Sequence, residues 1–317
     1  MVKIKTFYKN YLLLISLLLL MSVFAIHLSF AKALASDKEY QRIVIIGDPH
    51  LPGENITGKE NLVKDINSWS DVDVVVAIGD ICEDTGSRDE YSYAKQFFSK
   101  VVKPVSFIVG NHDYIYADLK SSRGKRIKGS PGTREAALQL FKQTFGLPSV
   151  YYSKKVGKYL LVFLSPDDLQ SNYLTMISDT QLSWLQKELS GNREVPTIIF
   201  FHAPLKGTLQ DYNENVNKEN FIAQPYEKIR DIIMANQQIF MWISGHTHTP
   251  ATNKSFSSPI NIYENQVTNI HNPDINRKTL WTNSLYLYPD KTVVKTYNHT
   301  KGAWLTGLER VVIPRQK

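Results

Sequence analysis

Val105-Ser106-Phe107-Ile108-Val109-Gly110-Asn111-His112-Asp113 runs from a short, largely apolar segment directly into four residues of distinct chemistry. The segment is too short for a helix and too apolar for a surface strand, so it reads as a buried strand. At its end stand a glycine for a tight turn, an amide, an imidazole, and a carboxylate able to fix the tautomer of that imidazole. Open α/β sheets place their chemistry at such strand ends. A single Gly-Asn-His-Asp turn is weak evidence, because most loops of this composition are only loops.

Outward from this stretch the same arrangement recurs. Residues 42–47 form a β-branched run ending at Asp48-Pro49-His50, and residues 72–78 form another ending at Gly79-Asp80. Residues 197–201 lead to His202, and residues 239–244 lead to Gly245-His246-Thr247-His248. On extended chain, residues two apart point the same way, so Asp48 with His50, and His246 with His248, are each expected to reach one point. Between these strands the apolar spacing predicts helices over 90–102, 134–145 and 227–235. Ser178-Asp179-Thr180-Gln181 reads as a capping box for a helix running to Leu189. The result is an α/β alternation. Past residue 250 the pattern changes to short alternating strands at about 282–288, 292–297 and 308–313.

Five strand ends therefore present Asp48, His50, Asp80, Asn111, His112, His202, His246 and His248. All are nitrogen or oxygen donors and no thiolate joins them, which suits manganese, iron or zinc. Even the seven side chains other than His112 exceed the needs of one ion, whereas a bridging carboxylate joins two. His271 and His299 fall outside the pattern and read as structural.

These ordered motifs resemble the calcineurin-like metallophosphoesterase family: Asp-x-His, Gly-Asp, Gly-Asn-His-Asp, a lone His, then Gly-His-x-His. The resemblance implies a four-layer core of two mixed β-sheets flanked by helices. It implies one metal on Asp48, His50, Asp80 and His248, and a second on Asp80, Asn111, His202 and His246, with Asp80 as the bridge. It further implies that His112, oriented by Asp113, faces the substrate phosphate and the leaving group. The implied activity is hydrolysis of phosphate esters by in-line attack of a metal-bridging hydroxide. Gln181-Leu182-Ser183-Trp184-Leu185 also resembles the cyclic-nucleotide phosphodiesterase branch, from which Ser165-Pro166-Asp167-Asp168 departs. Phosphomonoesters and phosphodiesters, nucleotides and cyclic nucleotides among them, stay open as substrates.

Of the 317 residues, 43% are hydrophobic and 21% charged, a globular composition. Lys3, Lys5 and Lys9 precede an apolar run from Tyr11 to about Phe30, and Ala33-Leu34-Ala35 fits a signal-peptidase site. The expectation is a signal peptide over 1–35 and export to a bacterial periplasm or to the medium, with membrane attachment only if the segment stays uncleaved. The remainder, 36–317, reads as a single domain with an antiparallel strand extension from about 251 to 317. Without 1–35 the chain keeps thirty-three Lys and Arg against thirty Asp and Glu, a formal +3 in place of +7. Most of the basic excess thus belongs to targeting, and a nucleic-acid surface is not expected. Cys82 is the only cysteine, so no intrachain disulfide is available.

Two features invite other readings. Gly53-Glu54-Asn55-Ile56-Thr57-Gly58-Lys59 matches seven positions of a phosphate-binding P-loop, but Glu60 stands where a hydroxyl must hold magnesium. Residues 120–132 carry five cations and three glycines, which reads as a mobile loop, either solvated or able to gather an anionic substrate. A non-catalytic metal-containing binding protein on the same fold is the rival from another class.

Overall fold

The apolar runs ending at Ile46, Ile78, Ile108, Phe200 and Ser244 all become strands, and each is buried on both faces. In a computed structural model the described residues are 38–212 and 215–315. The expected export signal lies outside them. Among the described residues no helix is long and apolar enough to cross a membrane.

In chain order the first half comprises β1 (Gln41–Ile46), α1 (Ile56–Ser68), β2 (Val72–Ile78), α2 (Arg88–Ser99), β3 (Val105–Ile108), α3 (Asn111–Tyr114), β4 (Tyr116–Lys120), β5 (Arg126–Lys128) and α4 (Pro131–Phe145). Then come β6 (Tyr152–Val156), β7 (Tyr159–Phe163), α5 (Asp179–Ser190), β8 (Thr197–Phe200), α6 (Tyr226–Ala235) and β9 (Ile239–Ser244). The last stretch adds β10 (Ile262–Tyr263), β11 (Val267–His271), β12 (Trp281–Leu287), β13 (Thr292–Asn298), β14 (Ala303–Trp304) and β15 (Arg310–Val312).

One sheet has the order β14-β13-β12-β1-β2-β3, with β15 also on β13, and the other has the order β10-β11-β9-β8-β7-β6. Both are mixed. β1, β2 and β3 are parallel while β12 joins β1 antiparallel; β7, β8, β9 and β11 are parallel while β6 and β10 are antiparallel.

Alternate residues of β1 enter different cores. Ile43 and Ile45 meet Phe163, Ile198, Phe200 and Ile243 between the sheets, while Val44 and Ile46 meet Leu62 and Ile66 of α1 and Phe97 of α2. On the far side, Leu160, Val162 and Trp242 pack on Leu182 and Leu185 of α5 and Ile229 of α6. The layers are therefore helix, sheet, sheet, helix, the four-layer architecture that the motifs implied. Burial on both faces is why these strands lack polar alternation.

Local chemistry explains several ends. Ser178 caps α5 by accepting from Gln181 N. The reciprocal half of the expected capping box is absent, because the Gln181 amide instead exchanges two hydrogen bonds with the Ser165 backbone. The expected loop at 120–132 is a correction as well: β4 and β5 form a two-stranded hairpin, and Ser130 caps α4. α1 and β11 had no signal strong enough to assign from sequence. β11 lies parallel to β9, unlike the antiparallel strands around it.

Candidate metal centre

All seven proposed ligand side chains meet at the carboxyl ends of β1, β2, β3, β8 and β9. Carboxylate and imidazole atoms of Asp48, His50, Asp80 and His248 lie within 4.8 Å of one another, and those of Asp80, His202 and His246 form a second such group. Asp80 belongs to both. Asn111 joins the second, its Oδ1 3.2 Å from His202 Nε2. Asp48 and His202 are completely buried.

Convergence arises differently from the expectation. Asp48 (φ 40°), His50 (φ 43°), Asp80 (φ 48°), His246 (φ 64°) and His248 (φ 49°) are all left-handed, not extended. Each such residue costs about 1–3 kcal/mol and persists only where its surroundings over-determine it. The chain thus turns sharply at each strand end and aims the side chains inward. Neighbouring glycines make the room: a Cβ on Gly245 would collide with Asp48 Oδ2, and one on Gly110 with Asp80.

The hydrogen bonds fix which imidazole nitrogens are free. His202 Nδ1 lies 2.9 Å from Ile78 O and His246 Nε2 lies 2.8 Å from Asn220 O, so each donates its hydrogen to a carbonyl. Their other nitrogens, His202 Nε2 and His246 Nδ1, then face each other at 3.1 Å, lone pair to lone pair whenever His202 is neutral. His50 Nε2 and His248 Nε2 are likewise 3.1 Å apart. Asp48 Oδ2 is buried with no hydrogen-bond partner among the described residues. Imidazole nitrogens crowded to 3.1 Å and an orphaned carboxylate oxygen are costly in a protein interior and fit cations.

The proton equilibria show what a cation would displace. Burial works against charge on His202, yet Asp80 beside it draws the imidazole up to about 9, so its Nε2 holds a proton that a bound cation would replace. Burial pushes His50 down to about 3 and His246 down to about 4, leaving both neutral, the form that ligates. Burial would raise Asp80, but His202 and His112 hold it well below the usual carboxylate range. The centre is a sink for positive charge.

His112 stands apart from the donor sets. Its N–H donates to Asp80 Oδ1 at 2.9 Å, and its Nδ1 donates to Glu83 O at 2.7 Å, which leaves Nε2 for the cavity. The orienting partner is thus a backbone carbonyl and not Asp113, which corrects the expected role of that carboxylate. Asp113 is fully buried, and its oxygens accept from Cys82 N at 2.9 Å and Gly110 N at 2.7 Å. It ties the ends of β2 and β3 together beneath the metal-binding turn. Burial and the nearby Asp80 push it up to about 7.

Above the donors is a cavity of about 500 Å³. Leu174, Tyr212, Val216 and Phe221 line one part, with Phe221 stacked on His246 at 5.3 Å; Tyr116 and Arg126 line another. Arg126 lies over the Tyr116 ring, pairs with Asp84 at 2.6 Å and also reaches Glu83 O. Of these wall residues only Arg126 lies in a stretch that the sequence singles out, the basic 120–132; the others come from segments with no shared spacing. Lys59 is buried with Nζ donating to His50 O and Pro52 O, so no P-loop is formed.

Residues 41–250 match the family described as calcineurin-like phosphoesterase, and the chain belongs to that family. Among solved structures, a dimetal phosphatase from Danio rerio is similar over 87% of this chain and 99% of its own, at 17% identity and a TM-score of 0.57. The purple acid phosphatase PPD1 of yellow lupin (Lupinus luteus) seeds is similar over 87% of this chain and 54% of its own, at 15% identity and 0.58. Plasmodium GAP50, the anchor in the inner membrane complex, is similar over 88% and 90%, at 13% identity and 0.58. At these identities the likeness is one of fold. No curated protein sequence matches the chain.

Proposed function

We propose that the protein is an exported two-metal phosphoesterase acting on small phosphate esters. The observation that carries this reading is that two donor sets share Asp80 on the floor of one cavity. Asp48, His50, Asp80 and His248 would hold one ion, and Asp80, Asn111, His202 and His246 the other. Ions held there supply Lewis acidity toward the phosphoryl group and activation of water.

The chain's own residues do the rest. The two carboxylates offset part of the cationic charge, leaving the floor attractive to an anion. His112, held through Nδ1 by Glu83 O, presents Nε2 to the cavity, where it stabilises phosphoryl oxygens or delivers a proton to the departing alkoxide. The cavity falls within the usual ~300–1,000 Å³ range of small-molecule sites. Its Phe221 and Arg126 walls suit the organic part and the charge of a nucleotide or similar ester, monoester or diester.

Support for export comes from Lys3, Lys5, Lys9, the apolar run after them and Ala33-Leu34-Ala35. A binding protein without catalysis is the second reading, and GAP50 is described as an anchor on this fold. The complete ligand set together with a substrate-facing His112 favours hydrolysis.

The test is turnover of matched chromogenic phosphomonoester and phosphodiester substrates by the purified chain, stripped of metal and reloaded with manganese, iron or zinc. Metal-dependent turnover is expected, and the faster ester class names the substrate type. Two bound ions without turnover on either class would favour the binding protein.

A further inference from the structure

We infer that the loop Asn272–Arg277, acting with Lys59, is a positioning clamp for one of the two metal-binding donor sets, that of Asp48, His50, Asp80 and His248. The inference rests on the two-metal reading above. The loop lies outside residues 41–250, where the family match ends. It is seated between two of the ligand-bearing turns: Asn272 N donates to Ser244 O at 2.8 Å, and Ile275 N donates to Gly47 O at 3.1 Å. Gly47 precedes Asp48, and Ser244 ends β9 just before the two histidines.

From that seat the loop reaches His248 directly and His50 through Lys59. Lys59 is 1% exposed, and its Nζ donates to Asn276 Oδ1 at 2.8 Å, to Pro52 O at 3.0 Å and to His50 O at 3.1 Å. Its three N–H groups are thus used on three neutral oxygens, and one of these is the carbonyl of a residue held at φ 43°. Arg277 Nη2 donates to His248 O at 2.9 Å and pairs with Asp274, whose Oδ2 lies 3.9 Å from His248 Nδ1. Asn55 Nδ2 donates to Arg277 O at 2.7 Å and Glu54 N to Asn276 Oδ1 at 2.5 Å, which fastens the loop to the start of α1.

The second set is oriented from elsewhere. His202 takes its orientation from Ile78 O and His246 from Asn220 O. The side-chain contacts of the clamp are therefore one-sided. Outer partners of metal ligands typically contribute about 10–100-fold in affinity, so its loss makes two otherwise comparable ions unequal.

The experiment is equilibrium dialysis of the full chain against graded free manganese, with bound metal counted by elemental analysis. It uses wild type, Arg277→Met, Arg277→Lys, Asn276→Ala and Lys59→Met, and the fold of each is checked by circular dichroism. Arg277 and Asn276 are partly exposed, so their variants keep the result readable if Lys59→Met fails to fold. The expected result is two ions in wild type, and in Arg277→Met and Asn276→Ala about 10–100-fold weaker binding of one ion with the other unchanged. Arg277→Lys, which still has donors for His248 O, is expected to recover part of that loss. Equal weakening of both ions, or no weakening of either, would overturn the clamp. Fewer than two ions in wild type would overturn the two-metal reading and the clamp with it, an outcome that the wild-type titration alone identifies.

Discussion

Asp80 is the residue on which both donor sets depend, because its carboxylate belongs to each group. Asp80→Asn removes the negative charge and replaces one carboxylate oxygen by an NH2 group, which removes the bridge. Metal affinity is expected to fall by more than about 100-fold, beyond the range of outer partners, with both ions and nearly all turnover lost together. Full metal content with retained turnover, read by elemental analysis and assay, would sink the bridging role. His112 makes the opposite prediction, since its imidazole belongs to neither donor set, although the ring packs edge-on to His50. His112→Ala is expected to keep both ions and to slow turnover by about 10²–10⁴-fold, most for esters with poor leaving groups. A uniform loss across a series of leaving groups would remove the acid role. Asp113 shows where residue-level reading failed. A carboxylate beside an imidazole in sequence suggests a pair, but the turn of α3 points Asp113 into the backbone behind it.

Among the elements, strands were legible and connections were not. A strand buried on both faces announces itself as a continuous β-branched run, which is why β2 and β9 match the expected bounds. The hairpin β4–β5 carries five cations and gave no such signal, since its residues are solvent-facing and its partner strand lies only a few positions away. Its Arg126 lines the cavity and shares Asp84 with Lys120. Two cations on one carboxylate leave positive charge at the rim. Arg126→Gln is therefore expected to raise KM for anionic phosphate esters roughly 10-fold, about 1.4 kcal/mol, and to weaken the salt dependence of KM. An unchanged KM at low and high salt would return the hairpin to a solvated surface.

Across the whole molecule, the site is held by polar groups buried beneath both sheets. His271 at the end of β11 is fully buried, and its Nε2 donates to Thr208 O at 3.0 Å, tying down the loop after His202. Burial pushes it down to about 3 from the ordinary 6.5. Between those values the unfolded chain binds a proton that the folded one refuses, so stability is complete above about 6.5 and falls as pH drops through this window. The slope is up to about 1.4 kcal/mol per pH unit. His271→Gln keeps a donor for Thr208 O and removes the titration. Its stability by urea denaturation is expected to fall less than that of wild type between about pH 7 and 5, the range in which an unfolded histidine takes up its proton. Equal losses in the two proteins would show that His271 is not the titrating group.

Local sequence sufficed for what depends on near neighbours. The apolar runs define the strands, and the polar residues that end them define the donor types, because a buried strand leaves its chemistry only at its tips. Distance along the chain then decided the rest. The left-handed turns that aim Asp48, His50, Asp80, His246 and His248 inward are stable only against the packed ends of five strands. The carbonyl that orients His112, the cavity walls from Phe221 and Arg126, and the hold of residues 272–277 on His50 and His248 all join segments remote in sequence. No local pattern encodes such contacts, since most of them end on backbone oxygens, which every residue type supplies.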